Sequence, residues 1–330
     1  MRALLLLPLL LVACTPREAA AQNFQLPIDC ALGDTCIVQN YADADARTGA
    51  AQDPMCGPLS YDGHDGLDLR APATMATRGV AVLAPAAGLV TAVREGEADG
   101  AFLRGGQAAV EGRDCGNGVR IEHADGWSSQ LCHMRNGSIR VALGNQVAAG
   151  QAIGLVGLSG HTEFPHLHLT LRRGDLTLDP LTGRALAAIG ACGAAAAAPG
   201  GHWSATARAA LAYRGAVWFA AGFTGIAPAN GADAEALPAN AARNSEALVF
   251  WALASGPREG DVLRVRLYGP NGALVGEGTR TQPRDQAQAW LFAGRRTPQG
   301  GWTAGAYRGE ASIERAGRTI ATQSEALNLR

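Results

Sequence analysis

The 330-residue sequence contains no lysine, so its basic side chains are arginines and histidines. Carrier domains of the biotinyl and lipoyl types attach their cofactor to a lysine, and its absence excludes them. The sequence also has no excess of positive charge. Its 28 arginines and 29 acidic residues give a formal net charge of -1. Proteins that hold nucleic acid by its phosphates need a positive surplus, so we expect no nucleic-acid partner.

The sequence also lacks an apolar run long enough to span a bilayer as a helix. The N-terminal run Ala3–Ala13 is short and typical of a secretory signal peptide, which we assign to residues 1–21. Two processing sites compete there. Leu11-Val12-Ala13-Cys14 fits a bacterial lipobox, which would lipidate Cys14 and anchor the protein to the outer membrane. Ala19-Ala20-Ala21 fits ordinary signal peptidase. Both predict an exported protein of the periplasm or cell envelope.

Cysteines are few, and without Cys14 their number is even. The remaining six are Cys30, Cys36, Cys56, Cys115, Cys132 and Cys192. An even number in an exported chain favours disulfides over reduced thiols. Proximity in sequence predicts the pair Cys30–Cys36, and we expect Cys56–Cys115 and Cys132–Cys192 as the other two.

The length suggests two domains. We expect a polar N-terminal extension (22–55), a first domain (56–185), a linker (186–200) and a second domain (201–330). Both domains contain short apolar runs separated by Gly, Asn, Asp and Pro, which predicts an all-β fold. Even spacing and the turn Pro270-Asn271-Gly272 favour a smaller, Ig-like β-sandwich in the second domain. Residues 227–243 are predicted to be a loop.

The first domain is predicted to consist of seven short strands. They are Val80–Leu83, Gly88–Val93, Gly118–Glu122, Trp127–His133, Ser138–Val141, Ala152–Val156 and Leu167–Leu171.

The last of these strands carries two histidines that alternate with leucines. Residues two apart in a strand share a face, so His166 and His168 project together while the leucines enter a core. Two buried imidazoles on one face need a partner, and neutral imidazole is a common zinc ligand. Two surface histidines on an edge strand are the alternative interpretation.

Two further segments add candidate ligands. In His64-Asp65-Gly66-Leu67-Asp68, the glycine lets the chain turn so that His64 and Asp68 can converge. Together with a second histidine they form an N₂O ligand set that leaves a fourth tetrahedral position for water, which is typical of catalytic zinc. Taken alone, each is more typical of an ordinary loop residue. His133 at the end of a predicted strand is, by itself, more typical of a structural histidine.

The ordered set of motifs resembles the lysostaphin-like, LytM-type zinc endopeptidases of family M23. The resemblance covers roughly residues 56–180 and rests on His64–Asp68, Cys132-His133-Met134 and 159–168. It implies a compact antiparallel β-rich peptidase domain with one Zn²⁺ per chain, held by His64, Asp68 and His168. It also implies that His133 and His166 are the catalytic histidines. The family usually has an aromatic residue two positions before the first of them, where this chain has Leu131.

The resemblance implies an endopeptidase that hydrolyses the peptide cross-links of peptidoglycan, acting on stem peptides; we expect a monomer. An extracellular endopeptidase for Gly-rich proteins is the alternative substrate class. A catalytically inactive LytM-like activator would have lost zinc ligands, whereas all five site positions are retained here. An envelope-binding scaffold would act through residues 201–330, which contain no catalytic constellation.

Some roles stay open in the sequence. Either catalytic histidine can be the one that removes a proton from water. Asp62 or Asp65 is a candidate to orient a ligand imidazole, with a solvated carboxylate as the simpler alternative. The remaining histidines, His123, His161 and His202, are interpreted as surface or loop residues, and His161 is close enough in sequence to line the site.

Overall fold

The computed structural model of the chain describes residues 22–188, 192–193, 198–229 and 233–330. The predicted signal peptide with Cys14 and much of the predicted linker lie outside these ranges. Within them most regular structure is strand, and the all-β prediction is confirmed. The helices there are short: α1 (Ala73–Arg78), α2 (Ala101–Gly105), α3 (Ala205–Ala210), and 3₁₀ turns at Gln107–Ala109, Ala124–Gly126, Leu186–Ala188 and Ala234–Ala236. No helix of the described part is long and apolar enough to cross a membrane.

An antiparallel sheet of eight strands forms the centre of the first unit, as far as the described residues show. The strands, numbered in chain order, are β1 (Ile37–Asn40), β2 (Leu67–Arg70), β4 (Gly88–Arg94), β5 (Asn117–Glu122), β6 (Trp127–Met134), β7 (Gln146–Val147), β9 (His166–Arg173) and β10 (Leu176–Leu178). Their order is β1-β2-β9-β6-β5-β4-β7, and β10 pairs with β9. Two further strands, β3 (Ala81–Leu83) and β8 (Ala152–Leu155), pair with each other.

The core of the first unit is built by the alternation of apolar residues along these strands. Leu167, Leu169 and Leu171 of β9 are fully buried and pack in one cluster with Leu67 and Leu69 of β2. At about 25 cal/mol per Å² of apolar surface, burying each leucine side chain stabilises the fold by roughly 1.5–3 kcal/mol. The predicted alternation of β9 is thus confirmed, and it directs the opposite face of both strands toward a polar site.

The first core extends beyond residues 56–185 at both ends. Phe24, Ile28 and Tyr41 from the predicted extension pack in it, as do Trp203 and Leu211 from beyond the predicted linker. Strand β1 of the same extension pairs with β2. Residues 22–55 therefore form part of the wall of the first unit rather than a separate segment.

The predicted strand Ser138–Val141 is wrong, because the segment is irregular. Its amides have scattered partners instead of a strand ladder: the amide of Ser138 donates to the Arg135 carbonyl and that of Arg140 to the Ile153 carbonyl. The Glu95 carboxylate accepts from the amide of Ile139 at 3.1 Å, and the Ser138 hydroxyl accepts from the amide of Leu155 at 3.1 Å. Ile139 and Val141 still pack against the core, which explains the apolar pattern.

Seven strands of the described residues 217–329 form two antiparallel sheets with their own core. One sheet has the order β11-β12-β15 and the other β14-β13-β16-β17. Their bounds are β11 (Val217–Thr224), β12 (Ala247–Ser255), β13 (Val262–Tyr268), β14 (Leu274–Thr281), β15 (Gln288–Arg296), β16 (Gly305–Arg315) and β17 (Arg318–Leu329). The predicted turn at 270–272 joins β13 and β14, and the predicted loop carries the 3₁₀ turn Ala234–Ala236.

The three disulfides among the described residues are Cys30–Cys36, Cys56–Cys192 and Cys115–Cys132. The first confirms its prediction, but the predicted pairs Cys56–Cys115 and Cys132–Cys192 are wrong. The hairpin of β5 and β6 brings residues 115 and 132 together, with their Cα atoms 4.9 Å apart. The chain after the first sheet returns to residue 56, where the Cα atoms of Cys56 and Cys192 are 5.2 Å apart. Disulfides are typical of oxidising compartments and indicate an envelope or exported protein.

A buried ion pair joins the two units close to β9. The guanidinium of Arg70 on β2 pairs with the carboxylate of Glu235, and both side chains are nearly buried. Glu235 also accepts from the amide of Ala73 at 2.8 Å. The guanidinium lies between two rings, 4.1 Å from the centroid of Phe164 and 4.7 Å from that of Phe219. The second unit therefore contacts the end of β2 through this ion pair.

Removing one partner of this pair should destabilise the protein strongly. Glu235→Ala leaves the Arg70 charge buried without a carboxylate, which typically costs about 3–5 kcal/mol. A matched control is Glu97→Ala, which breaks the partly exposed pair with Arg113 and should cost no more than about 1 kcal/mol. Thermal melting of both variants measures the difference. Equal melting temperatures for the two would contradict the expectation.

Candidate metal centre

Strand pairing places an aspartate and a histidine opposite each other. In the antiparallel pairing of β2 with β9, Asp68 is the partner of His168. The leucines on either side of both residues enter the core, so Asp68 and His168 must project to the other face. Cross-strand partners on one face are within contact distance. The core alternation thus generates the first two members of the site.

His64 reaches the same point from the loop before β2. Gly66 makes this possible because the backbone passes close to the His168 ring. A Cβ atom at residue 66 would lie 2.5 Å from Cε1 of His168. The turn in the chain comes at Gly63, whose φ is 74°. Glycine is therefore required at 63 for its conformation and at 66 for space.

The three predicted ligands converge. Nε2 of His64 lies 3.1 Å from Oδ1 of Asp68 and 3.2 Å from Nδ1 of His168, and the last two atoms are 2.9 Å apart. One ligand atom from each residue lies within 4.8 Å of the other two. All three residues are buried.

The outward nitrogens of both histidines are used as hydrogen-bond donors. Nδ1–H of His64 donates to the Tyr41 carbonyl at 2.6 Å. Nε2–H of His168 faces the Thr170 hydroxyl at 3.0 Å and the Asp65 carboxylate at 3.3 Å. When both rings are neutral, these contacts leave the lone pairs on the inward nitrogens. In that state two lone pairs and a carboxylate oxygen meet in a buried space, and this donor set suits zinc.

The pKa values of Asp68 and His168 show how charge is distributed in the triad. Burial alone would raise the pKa of Asp68, but the neighbouring His64 and His166 hold it well below its usual range. Burial lowers the pKa of His168, yet Asp65 and Asp68 outweigh this effect and raise it to about 9. Asp68 is thus a carboxylate that needs a positive charge beside it, supplied by a proton or by a metal ion.

Residues from the N-terminal segment hold the triad in place. Nδ2 of Asn40 donates to Oδ2 of Asp68 at 2.9 Å, and the Tyr41 carbonyl orients His64. Of the two predicted orienting carboxylates, Asp65 faces His168, whereas Asp62 accepts from the amide of Gly49. Asn40 and Tyr41 were not identified from the sequence, because no local pattern connects them with ligands so far along the chain.

His133 reaches the site through a β-bulge. In the pairing of β5 with β6, Asn117 faces Met134 and Val119 faces Leu131, so Cys132 and His133 together oppose Gly118. Regular alternation would have sent His133 into the core beside Leu131. The extra residue turns it to the face of the triad instead. Its ring centroid lies 4.6 Å from that of His166 and 5.9 Å from that of His168.

The two remaining site histidines differ in their surroundings. Nδ1–H of His133 donates to the Ser159 carbonyl at 2.8 Å, which leaves Nε2 unprotonated. Burial, with His166 and His168 nearby, lowers the pKa of His133 well below its ordinary value, so it is neutral at pH 7. Nδ1 of His166 lies 3.0 Å from the Phe164 carbonyl, and its Nε2 lies 3.4 Å from Oδ1 of Asp68.

A cleft of about 240 Å³ opens beside the triad, with His133, His161, His168 and Tyr61 in its lining. The exposed Tyr61 ring stacks on His64 at a centroid distance of 4.4 Å. Tyr61 was not singled out from the sequence, although it lies in the same motif as His64. Leu131 is fully buried in the core, so it cannot contact a substrate.

The other histidines lie outside the triad. His161 is exposed and lines the cleft, as expected. His202 lies in a turn, as a loop residue, but it is buried there, bonds the Pro180 carbonyl and stacks on Trp127. His123 is half-buried and bonds the Ala87 carbonyl.

Comparison with known proteins agrees with this arrangement. The sequence model of Peptidase family M23 matches residues 62–180 of the chain. The cell division protein DipM of Caulobacter vibrioides (strain NA1000 / CB15N) is 32% identical over 109 residues. That match covers 33% of this chain and 14% of DipM, so the chain spans a small part of that relative.

Solved structures similar to the chain include three peptidase structures. The catalytic domain of the prophage-encoded M23 protein EnpA from Enterococcus faecalis is 29% identical, with 41% of this chain and 78% of that chain covered and a TM-score of 0.28. The catalytic domain of lysostaphin from Staphylococcus simulans is 20% identical, with 43% and 85% covered and a TM-score of 0.29. A zinc-containing peptidase from Vibrio cholerae is 23% identical, with 43% and 38% covered and a TM-score of 0.28.

The family match contains the three predicted ligands and the two further site histidines. His64 and Asp68 lie near its start, His133 near its middle, and His166 and His168 near its end. Residues 62–180 of this chain are therefore a Peptidase family M23 domain.

Proposed function

We propose that the protein is a zinc-dependent endopeptidase that hydrolyses peptide cross-links of peptidoglycan in the cell envelope. The single observation that carries the proposal is the convergence of lone-pair atoms from His64, Asp68 and His168 next to two further histidines. Three protein ligands leave a tetrahedral position for water, as catalytic zinc sites do. We propose one Zn²⁺ per chain.

We assign different roles to the five side chains of the site. His64, Asp68 and His168 would hold the ion, which lowers the pKa of a bound water to about 7 and polarises a carbonyl group. His133 is neutral with a free Nε2, so it can accept a proton as a general base. His166, when protonated, can donate from Nε2 to the developing oxyanion or to the leaving amine.

The surface around the centre supports cleavage within a chain rather than at its end. One cleft lies on the side of His168 and Thr170. A second, of about 700 Å³, lies on the side of Phe164 and Pro165 and reaches Glu235 of the second unit. The first cleft is lined by site histidines and the second by the two residues just before His166, so we propose that a peptide substrate extends from the centre into both.

The substrate class is proposed from the family and from export. Three disulfides agree with a protein that works outside the cytoplasm, where peptidoglycan stem peptides are its proposed partners. The proposed location is the periplasm or cell envelope, as a monomer. Anchoring through a lipidated Cys14 remains the second of the two processing predictions.

The direct test is digestion of purified peptidoglycan sacculi. Purified protein should release soluble fragments, mass spectrometry should place the cut in the peptide part, and a zinc chelator should abolish release. Cleavage of Gly-rich peptides but not of sacculi would favour the extracellular endopeptidase. A zinc-loaded protein that cleaves neither substrate would support the activator or scaffold and overturn the proposal.

Metal content should follow the ligand assignment. His168→Ala removes one of three ligands and should abolish stoichiometric zinc. Asn40→Ala removes only the bond to Oδ2 of Asp68, and loss of such supporting contacts typically weakens metal affinity about 10–100-fold. His161→Ala is the matched control, because it changes a cleft histidine outside the triad. Elemental analysis and competition with a chelator measure all three, and one zinc retained in His168→Ala would remove that residue from the ligand set.

The two remaining histidines should be needed for turnover rather than for metal. His133→Ala and His166→Ala should keep one zinc and a near wild-type melting temperature. General acid–base catalysis typically contributes about 10²–10⁴-fold, so each variant should lose sacculus digestion on that order. Interactions that matter only in the transition state do not change metal binding. Wild-type digestion rates in both variants would refute this division of roles.

A further inference from the structure

His133 is held in a backbone conformation that its side chain disfavours. Its φ is 61°, in the left-handed region that residues other than glycine rarely adopt. Such a conformation persists only where its surroundings enforce it. It is also the conformation of the bulge that turns the imidazole toward His166. Whatever holds this backbone therefore determines where the imidazole lies.

Two neighbouring segments hold it by hydrogen bonds. The amide of His133 donates to the Cys115 carbonyl at 2.8 Å. The His133 carbonyl accepts from the amide of Gly157 at 3.0 Å, and its Nδ1–H donates to the Ser159 carbonyl. The Cys115 segment also bonds the Ser159 segment, since the amide of Asn117 donates to the Ser159 hydroxyl at 2.9 Å. The three segments meet around a single residue.

The Cys115 segment is flanked by two hydrogen-bonded neighbours, since the Asp114 carbonyl accepts from the amide of His161 at 2.8 Å and the buried Asn117 side chain donates to the Met134 carbonyl at 3.2 Å. Residues 101–115 between the first-sheet strands are mostly exposed, with Val110 as the buried exception. The Cys115–Cys132 disulfide cross-links this stretch to the residue immediately before His133. Gly118, opposite the bulge, leaves room for the bond, because a Cβ atom there would lie 2.9 Å from the Cys115 sulfur. The disulfide therefore lies across the bulge itself.

We propose that the Cys115–Cys132 disulfide is a positioning device for His133. It fixes the Cys115 carbonyl beside the His133 amide and so keeps the bulge, and the imidazole on it, aimed at the metal centre. Neither cysteine is a proposed metal ligand, and the other two disulfides do not involve residues of the bulge. The role in turnover rests on the proposed function; the role in holding the backbone does not.

The test compares two double variants of the full-length protein. Cys115→Ala/Cys132→Ala removes the bond at the bulge, and Cys30→Ala/Cys36→Ala is the matched control. Both should bind one zinc. A misplacement of about 1 Å can cost about 10²-fold in rate, so the first variant should lose 10- to 100-fold in kcat with little change in KM. The control should digest sacculi at nearly the wild-type rate.

A second readout does not require activity. In the first variant, the His133 amide should exchange with solvent at least about 10-fold faster than in wild type, since its acceptor is no longer tethered. Hydrogen exchange resolved by residue measures this in the zinc-loaded proteins. Cys115→Ser alone is a gentler variant, because Cys115 is half-buried and Cys132 keeps its place in the bulge.

The outcomes separate the two proposals. A wild-type protein that digests nothing refutes the peptidase, while the exchange rate of His133 still decides the positioning role. Unchanged kcat and unchanged exchange in a variant without the bond overturn positioning. Unfolding of both bulge variants, with the Cys30/Cys36 control folded, would assign the bond to global stability and would also overturn it.

Discussion

The antiparallel register between β2 and β9 is the constraint on which the rest of the site depends. It places Asp68 opposite His168 and Arg70 opposite His166. A shift of one residue would exchange the two faces of a strand and move its leucines out of the core. The residues buried on the apolar face therefore determine which residues lie on the polar face. Burial of leucines on one side of the sheet determines which side chains can meet a metal ion on the other.

The polar face then has its own requirement, because carboxylates and imidazoles are costly to bury without partners. The structure meets it from outside the two strands. Asn40 and Tyr41 from the first strand region hold Asp68 and His64, and Asp65 faces His168. The N-terminal segment is thus part of the candidate centre. The pairing of β1 with β2 places Asn40 directly opposite Asp68.

Two kinds of backbone support the site, and they suit different chemistry. Asp68 and His168 lie on regular paired strands, which fix ligand positions rigidly. His133 lies on a bulge with a left-handed φ, where hydrogen bonds and a disulfide replace regular pairing. The bulge allows a residue on the next strand to approach the same centre at a different angle. Under the proposed function, this second direction of approach would leave His133 free to transfer a proton while the triad holds the ion.

The sequence by itself determined the all-β fold and which side chains of β9 face the core, because alternation along a strand is a local property. It also led to His64, Asp68 and His168 as a set, through spacing and resemblance. The pairing of Cys56 with Cys192 needed the folded chain, since 136 residues separate them and their approach depends on how the units close. Cys115 lies beside Cys132 because two predicted strands form a hairpin, but neither that hairpin nor this disulfide was predicted from the sequence. Only tertiary structure decided the bulge at His133, the contacts of Asn40 and Tyr41, and the Glu235 pair with Arg70. Each depends on register and packing between segments far apart in sequence, which no local pattern of residues encodes.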